Sequence, residues 1–262
     1  MNLDLTQKTA FVCGSTSGLG KASALEMALL GANIVLIARN EDKLKSVLKE
    51  LDVSKNQKHN YIVADFSQVD VLKIKLDTFL LENPTVHILV NNTGGPSAGA
   101  ILDANLEEFN QAFSNHLLCN QVLVQAVAPS MKSAGFGRII NIVGTAVKEP
   151  VTGLGVSNTI RAAVANWGKT LAGELGPFGI TVNNVLPGLT KTARLESVLN
   201  EKSIQNNVSR ATIDKTVATN IPVGRFGEPK EFGAVIAFLA SPVAGYINGI
   251  NLPVDGGMLG SL

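Results

Sequence analysis

Residues Lys8 to Gly20, K-T-A-F-V-C-G-S-T-S-G-L-G, carry an apolar strand-like run straight into a turn with glycine at 14, 18 and 20, and a helical pattern from Ala22 to Leu30 follows. A strand that must turn into a helix through three glycines is the opening of a βαβ unit, closed by the next apolar run at Ile34–Ala38. Glycine lets the backbone approach a ligand closely, and the start of a helix presents unpaired N–H groups to an anion. The turn therefore predicts a phosphate cradle, and tight-turn glycines without a ligand are the alternative.

Further short apolar runs at Tyr61–Ala64, Ile88–Val90, Arg138–Val143, Thr181–Leu186 and Ile250–Val254 read as strands, with helical patterns between them. Strands alternating with helices pair in parallel through right-handed crossovers. The prediction is an α/β fold with a doubly wound, Rossmann-like parallel sheet of about seven strands and helices on both faces. All 262 residues, 45% of them hydrophobic, fit one domain, with no linker or composition break to divide it. Ligands in such sheets sit beyond the carboxyl ends of the strands, which points to the residues after Val12, Ile37, Val63, Val90, Ile142 and Val185. One stretch breaks the rhythm. Residues 190–220 are polar and weakly periodic, as expected of a lid over a substrate, with a solvated helical excursion as the alternative.

Charge and cysteine usage narrow the partners. A net charge of +1 leaves no basic stripe for nucleic acid, and the lysines at 43, 45, 49, 55 and 58 read as a solvated helix and loop. Cys13 and Cys119 fall in a strand and a helical pattern, so both are expected to be reduced and buried in a cytoplasmic protein. His59, His87 and His116 lack ligand spacing, so no metal is expected. The longest apolar runs are too short to cross a bilayer.

The glycine turn is joined by Asp65 after the third strand, Asn91-Asn92-Thr93-Gly94 after the fourth, Pro187-Gly188 after the sixth, and the ending Tyr246-Ile-Asn-Gly-Ile-Asn-Leu-Pro-Val-Asp255-Gly-Gly. Together these elements resemble the short-chain dehydrogenase/reductase superfamily over nearly the whole chain, and a β-ketoacyl reductase pattern in particular. The resemblance implies that Gly14, Gly18 and Gly20, with Leu19 between them, hold the pyrophosphate of a nicotinamide cofactor, that Asp65 meets the adenine, and that Asn92 and Gly94 meet the adenosine side. It gives Pro187, Gly188 and Thr190 the nicotinamide carboxamide. An acidic residue at the end of the second strand would select NAD, whereas Arg39 stands there and favours NADP (NADPH), with Ser15 and Thr16 as further donors. A surface arginine opening the next helix is the bland reading of Arg39.

The family's chemistry is carbonyl/alcohol interconversion by an Asn-Ser-Tyr-Lys set. In a gap-free count, this chain places His116, Gly144, Ser157 and Arg161 at those four positions. Its tyrosines, Tyr61 and Tyr246, lie elsewhere. A serine hydroxyl is a poor acid and arginine stays charged, so the family's proton transfer cannot run unaltered. His116 is the candidate replacement acid, from its ordinary pKa near ~6.5. Arg161 could hold ribose or an oxyanion, Thr145 could lend a hydroxyl, and Lys148 is a further donor. In the bland reading Ser157 caps a helix, Arg161 points at solvent, His116 is packed and Lys148 is solvated.

The expected function is thus an NADP-dependent oxidoreductase acting on a small-molecule carbonyl or alcohol through a divergent site, lined by Gly95–Ile101 and the segment 190–220. A catalytically silent NADP(H)-binding sensor or scaffold is the alternative. Small residues along Arg161–Leu175, a helix that makes subunit contacts in the family, imply a homotetramer or homodimer, with packing inside one subunit as the other reading.

Overall fold

In the computed structural model, which describes residues 1–261, seven strands form one sheet. They are β1 (Thr9–Cys13), β2 (Asn33–Ala38), β3 (Asn60–Val63), β4 (Ile88–Asn91), β5 (Gly137–Ile142), β6 (Ile180–Pro187) and β7 (Asn251–Val254). All neighbours pair in parallel, in the order β3-β2-β1-β4-β5-β6-β7. The order reverses between β1 and β4. Such a reversal opens a crevice at the carboxyl ends of the two strands.

Alternation along the strands sorts side chains onto two apolar layers. Ala10 and Val12 of β1 face one layer, with Leu36, Val90 and Val185. It is covered by helices α1 (Gly18–Leu29), α2 (Glu41–Leu48) and, late in the chain, α9 (Pro229–Ala240). Phe11 and Cys13 face the other layer, with Leu89 and Val182, beneath α3 (Val69–Glu82), α5 (Cys119–Ala134) and α6 (Gly155–Leu175). Both cysteines are free and buried. Helix α4 (Leu106–Phe113) runs into α5 through a π-helical turn, Ser114–Leu118, which carries His116.

The segment 190–220 folds as two helices, α7 (Ala193–Asn206) and α8 (Arg210–Thr219). They share a small apolar core of Leu195, Leu199 and Ile213. The sequence pattern is weak because only these few positions are buried; the remaining faces are polar. Helix α1 begins at Gly18, four residues before the expected Ala22, because the glycines that open it carry no apolar periodicity. Among the described residues, no helix is long and apolar enough to cross a membrane, and no three His, Cys, Asp or Glu side chains cluster as metal ligands.

The small residues of α6 divide between two uses. Gly168 lies so close to the sheet that an added Cβ would sit 2.8 Å from Asn184 Oδ1 and 2.9 Å from Asn141 Nδ2. Ala165 and Ala172 are buried with it, whereas Ala162 and Gly173 are exposed. Close packing within the subunit therefore accounts for part of the stripe.

Candidate active site

The crevice between β1 and β4 is built around glycine. Gly14 (φ +57°) and Gly18 (φ +55°) hold left-handed backbone that other residues adopt at a cost. A Cβ on Gly20 would fall 2.4 Å from the Gly14 carbonyl oxygen and 2.7 Å from Asn92 Nδ2. From the end of β4, the Asn92 amide donates to the carbonyls of Cys13 and Gly14, each at 3.3 Å, and so ties the turn to the neighbouring strand. Ser17, the residue before α1, makes no side-chain cap, so the first-turn N–H groups of the helix are open to an anion. Gly94 has no heavy atom within 4 Å of where its Cβ would stand, and faces open space. Glycine cradle, uncapped helix start and open floor together fit a dinucleotide.

At the ends of β2 and β3, Arg39 is exposed and near enough for its charge to act on Asp65. Burial raises the Asp65 pKa, but hydrogen bonds from the Ser67 N–H (3.0 Å) and hydroxyl (2.8 Å), with the Arg39 charge, outweigh it and leave the carboxyl below its ordinary value. Thr16 is partly exposed in the glycine turn. Ser15 is different. It is fully buried and its Oγ accepts the Ile37 N–H at 3.0 Å, so it braces the turn against β2 and offers nothing to a phosphate. That corrects the expectation of Ser15 as a phosphate donor.

Beyond β6, Pro187 and Gly188 lead to Thr190. A Cβ on Gly188 would stand 2.5 Å from Asp255 Cα, so this glycine is also needed for packing at the end of β7. Thr190 is buried and bridges in parallel to Gly227, fixing the base from which α7 departs. Thr192 caps α7 through the Leu195 N–H, and its methyl lies 3.4 Å from where a Gly18 Cβ would be. The helical pair 193–219 therefore starts against the mouth of the glycine turn.

Arg161 occupies the centre of the site. Far from pointing at solvent, it reaches from α6 to the end of β5. Nη1 donates to the Val143 carbonyl and Nε to Ser157 Oγ at 3.2 Å. Its side chain fills the space beside two glycines. A Cβ on Gly144 would stand 3.2 Å from Arg161 Cδ, and one on Gly95 3.1 Å from Nη2. Residues 144, 157 and 161 are thus one physical unit: glycine makes room for the guanidinium and serine anchors it. Ser157 lies inside α6 and is buried, so it is not a helix cap. Thr145 follows Gly144 in a short 3-10 turn, partly exposed. Lys148, at the end of that turn, is likewise only partly exposed rather than freely solvated.

Arg161 has no carboxylate partner among the described residues, nor does Arg194 in the first turn of α7, whose charge acts on Arg161. Burial, and then Arg194, lowers the Arg161 pKa to about 10, which leaves it cationic at neutral pH. Arg161 thus carries a positive charge at the end of β5, and the charge of Arg194 acts on it from α7.

His116 is buried, with Nδ1 2.6 Å from Thr93 Oγ1 and no partner for Nε2. Burial, reinforced by the Arg161 charge, pulls its pKa down to about 3. The expectation of an acid titrating near neutrality is corrected: His116 is a neutral imidazole. It lines a cavity of about 10 Å³, the room for one water, with Asn91, Thr93 and Arg161.

Asn91 begins a feature that sequence reasoning missed. In strand register, Asn91 Nδ2 donates to Asn141 (2.8 Å), Asn141 to Asn184 (2.9 Å) and Asn184 to Asn251 (2.8 Å), an amide ladder across β4, β5, β6 and β7 that is buried from Asn91 to Asn184 and exposed at Asn251. Asparagine is depleted in strands, so its presence in four neighbouring ones was the available signal. The bond between Thr93 and His116 and the effect of Arg194 were missed too, because each depends on a partner distant in the chain.

Comparison with known proteins agrees with this geometry. A family described as Enoyl-(Acyl carrier protein) reductase matches residues 14–259. The chain is 31% identical over 260 residues to the NADPH-dependent reductase BacG of Bacillus subtilis, covering 98% of this chain and 100% of that protein. It is 31% identical over 251 residues to the 3-oxoacyl-[acyl-carrier-protein] reductase FabG of Haemophilus influenzae, covering 96% and 98%. L-sorbose reductase from Gluconobacter frateurii, solved with NADPH and L-sorbose, superposes with a TM-score of 0.94 at 30% identity over 100% of both chains.

Proposed function

The chain belongs to the short-chain dehydrogenase/reductase superfamily, and from that membership we propose how its own residues divide the work of an NADP-dependent oxidoreductase acting on a carbonyl substrate. The observation that carries the cofactor assignment is the glycine cradle at the β1/β4 crevice, with Arg39 in place of an acid at the end of β2. NADPH bound there supplies a hydride. Gly14, Gly18, Leu19 and Gly20 receive the pyrophosphate; Arg39 and Thr16 take the 2′-phosphate; Asp65, Asn92 and Gly94 line the adenosine side. Pro187, Gly188 and Thr190 stand on the nicotinamide side.

The divergent set belongs to the same reading. Arg161, anchored by Ser157, binds the substrate oxygen, Thr145 offers a hydroxyl at the rim, and neutral His116 orients groups through Thr93 instead of donating a proton. Helices α7 and α8 serve as the lid, and Arg194 comes with them. The protein works in the cytoplasm. It self-associates as a homotetramer or homodimer, and light scattering of the purified protein is expected to read a mass above 27.5 kDa; a monomer rejects association.

Titration with NADPH, NADP+, NADH and NAD+, followed by nicotinamide fluorescence, tests the assignment. NADPH is expected to bind more tightly than NADH, and Arg39→Asp to reverse the preference by about 10–100-fold, the worth of a charge-assisted contact. Equal binding of both cofactors by the unaltered protein rejects Arg39 as the selector. Failure of all four to bind would favour the silent scaffold.

A further inference from the structure

Segment 255–261, which follows β7, lies outside the sheet and meets three walls of the site. At its start the Asp255 carboxylate accepts the N–H groups of Gly257 (2.9 Å) and Leu259 (2.9 Å), which folds the chain into a turn. That turn is wedged under the exit from the lid helices. The Val223 N–H donates to the Gly256 carbonyl at 3.2 Å, and a Cβ on Gly256 (φ +68°) would stand 2.6 Å from Val223 Cγ2 and 2.8 Å from Ile221 Cγ2. At the end of β6, the Gly188 N–H donates to the Val254 carbonyl at 3.0 Å, so the root of the segment is fixed on that side as well.

From this root the segment crosses to the loop after β5. Leu259 packs on the buried cluster of Val143, Val164 and Leu186, which Val147 and Trp167 also cover. The Ser261 N–H donates to Glu149 Oε1 at 2.7 Å, a bond to a carboxylate. On its other flank the same loop is bonded to the one after β4, through the Gly99 N–H to the Gly153 carbonyl (2.7 Å) and the Gly155 N–H to the Gly99 carbonyl (3.2 Å). The loop carries Thr145, and Val143 at its base supplies the carbonyl that holds Arg161. Its internal bonds are local, with the N–H groups of Lys148 and Glu149 both returning to the Thr145 carbonyl (2.9 and 3.2 Å). Local bonds give such a turn its shape, and only contacts from elsewhere in the chain fix where it stands.

We propose that segment 255–261 is a strap that sets the position of Thr145 and Arg161, with Leu259 and Glu149 as its positioning residues, and that it closes the nicotinamide side of the site against water. The part that concerns the nicotinamide rests on the NADP-dependent oxidoreductase reading. Neither Leu259 nor Glu149 touches the reacting atoms. They act through the turn at Thr145 and the Val143 carbonyl, and a site that holds its groups still and excludes water is what hydride transfer needs.

Two readouts on the full chain test the strap. Amide exchange of residues 144–149 is followed by mass spectrometry with and without NADPH, and acrylamide quenching of nicotinamide fluorescence is measured on the NADPH-loaded protein. Leu259→Ala and Glu149→Ala are each expected to speed exchange at 144–149 by about 10-fold, the worth of a bond to a carboxylate or of a few buried methylenes, while β1 and β4 exchange at the parent rate. Both variants should also raise the quenching of the bound nicotinamide several-fold at equal NADPH occupancy. Leu259→Met keeps the packing and Glu149→Gln keeps the acceptor, so each should return both readouts toward the parent. Faster exchange confined to residues 258–261, equal acceleration throughout the sheet, or quenching at the parent level overturns the proposal. Failure of the unaltered protein to bind NADPH would reject the oxidoreductase reading instead, and exchange in the cofactor-free protein would still decide the strap.

Discussion

Gly20→Ala is expected to weaken NADPH binding by about 1,000-fold, roughly 4 kcal/mol. The added methyl would stand 2.4 Å from the Gly14 carbonyl and 2.7 Å from the Asn92 amide, both parts of the cradle itself. Neither can give way cheaply. The Gly14 backbone is fixed by its N–H bond to the Ile37 carbonyl at 2.9 Å, and Asn92 by its two bonds to the turn. Because the clash is confined to the first turn of α1, far-ultraviolet circular dichroism should stay close to that of the unaltered protein. Gly94→Ala is the informative partner. Its methyl meets no protein atom within 4 Å, so stability should hold while NADPH binding falls. Full-strength binding by Gly94→Ala would remove the cofactor from that space, and full-strength binding by Gly20→Ala would remove it from the crevice.

Stability should fall steeply in mild acid because two histidines are buried in neutral form. His87 accepts the Thr9 N–H at Nδ1 (3.1 Å), and burial, with a smaller effect of Lys8, lowers its pKa to about 4; His116 stands at about 3. Both folded values lie below the unfolded value near ~6.5. Above that pH the histidines are neutral in both states and their contribution is whole. As pH falls below it, the unfolded chain takes up protons that the folded chain refuses. Each histidine then costs up to about 1.4 kcal/mol per pH unit, together about 5 kcal/mol between pH 6.5 and 4.5, and the loss is complete below the folded pKa. Urea midpoints measured across pH 4.5–7.5 should show this slope, and His87→Gln with His116→Gln should flatten it. A double variant as acid-sensitive as the parent would mean that the two rings are not buried neutral.

The structure also explains why His116 invited misreading. Its chain position and ordinary pKa both suited an acid, but the π-helical turn seats it under Thr93 and beside Arg161, where a proton is unwelcome. Arg161 was legible as a cation and not as a bridge. Nothing near residue 161 in sequence announces that it fills the space left by Gly144 and touches the loop at Gly95. The segment 190–220 was legible as an excursion, while its helical pair depends on three buried residues meeting across a turn.

The alternating strands and helices, the glycine turn and Arg39 without an acid are properties of short windows, and the amino-acid sequence by itself determined them. Periodicity and turn chemistry act between near neighbours, so no tertiary contact was needed to read them. The direction of the Arg161 guanidinium, the neutrality of His116, the asparagine ladder and the approach of Arg194 were decided by the tertiary structure. Each depends on desolvation, charge or strand register between residues far apart in the chain, and burial and register exist only once the sheet has assembled.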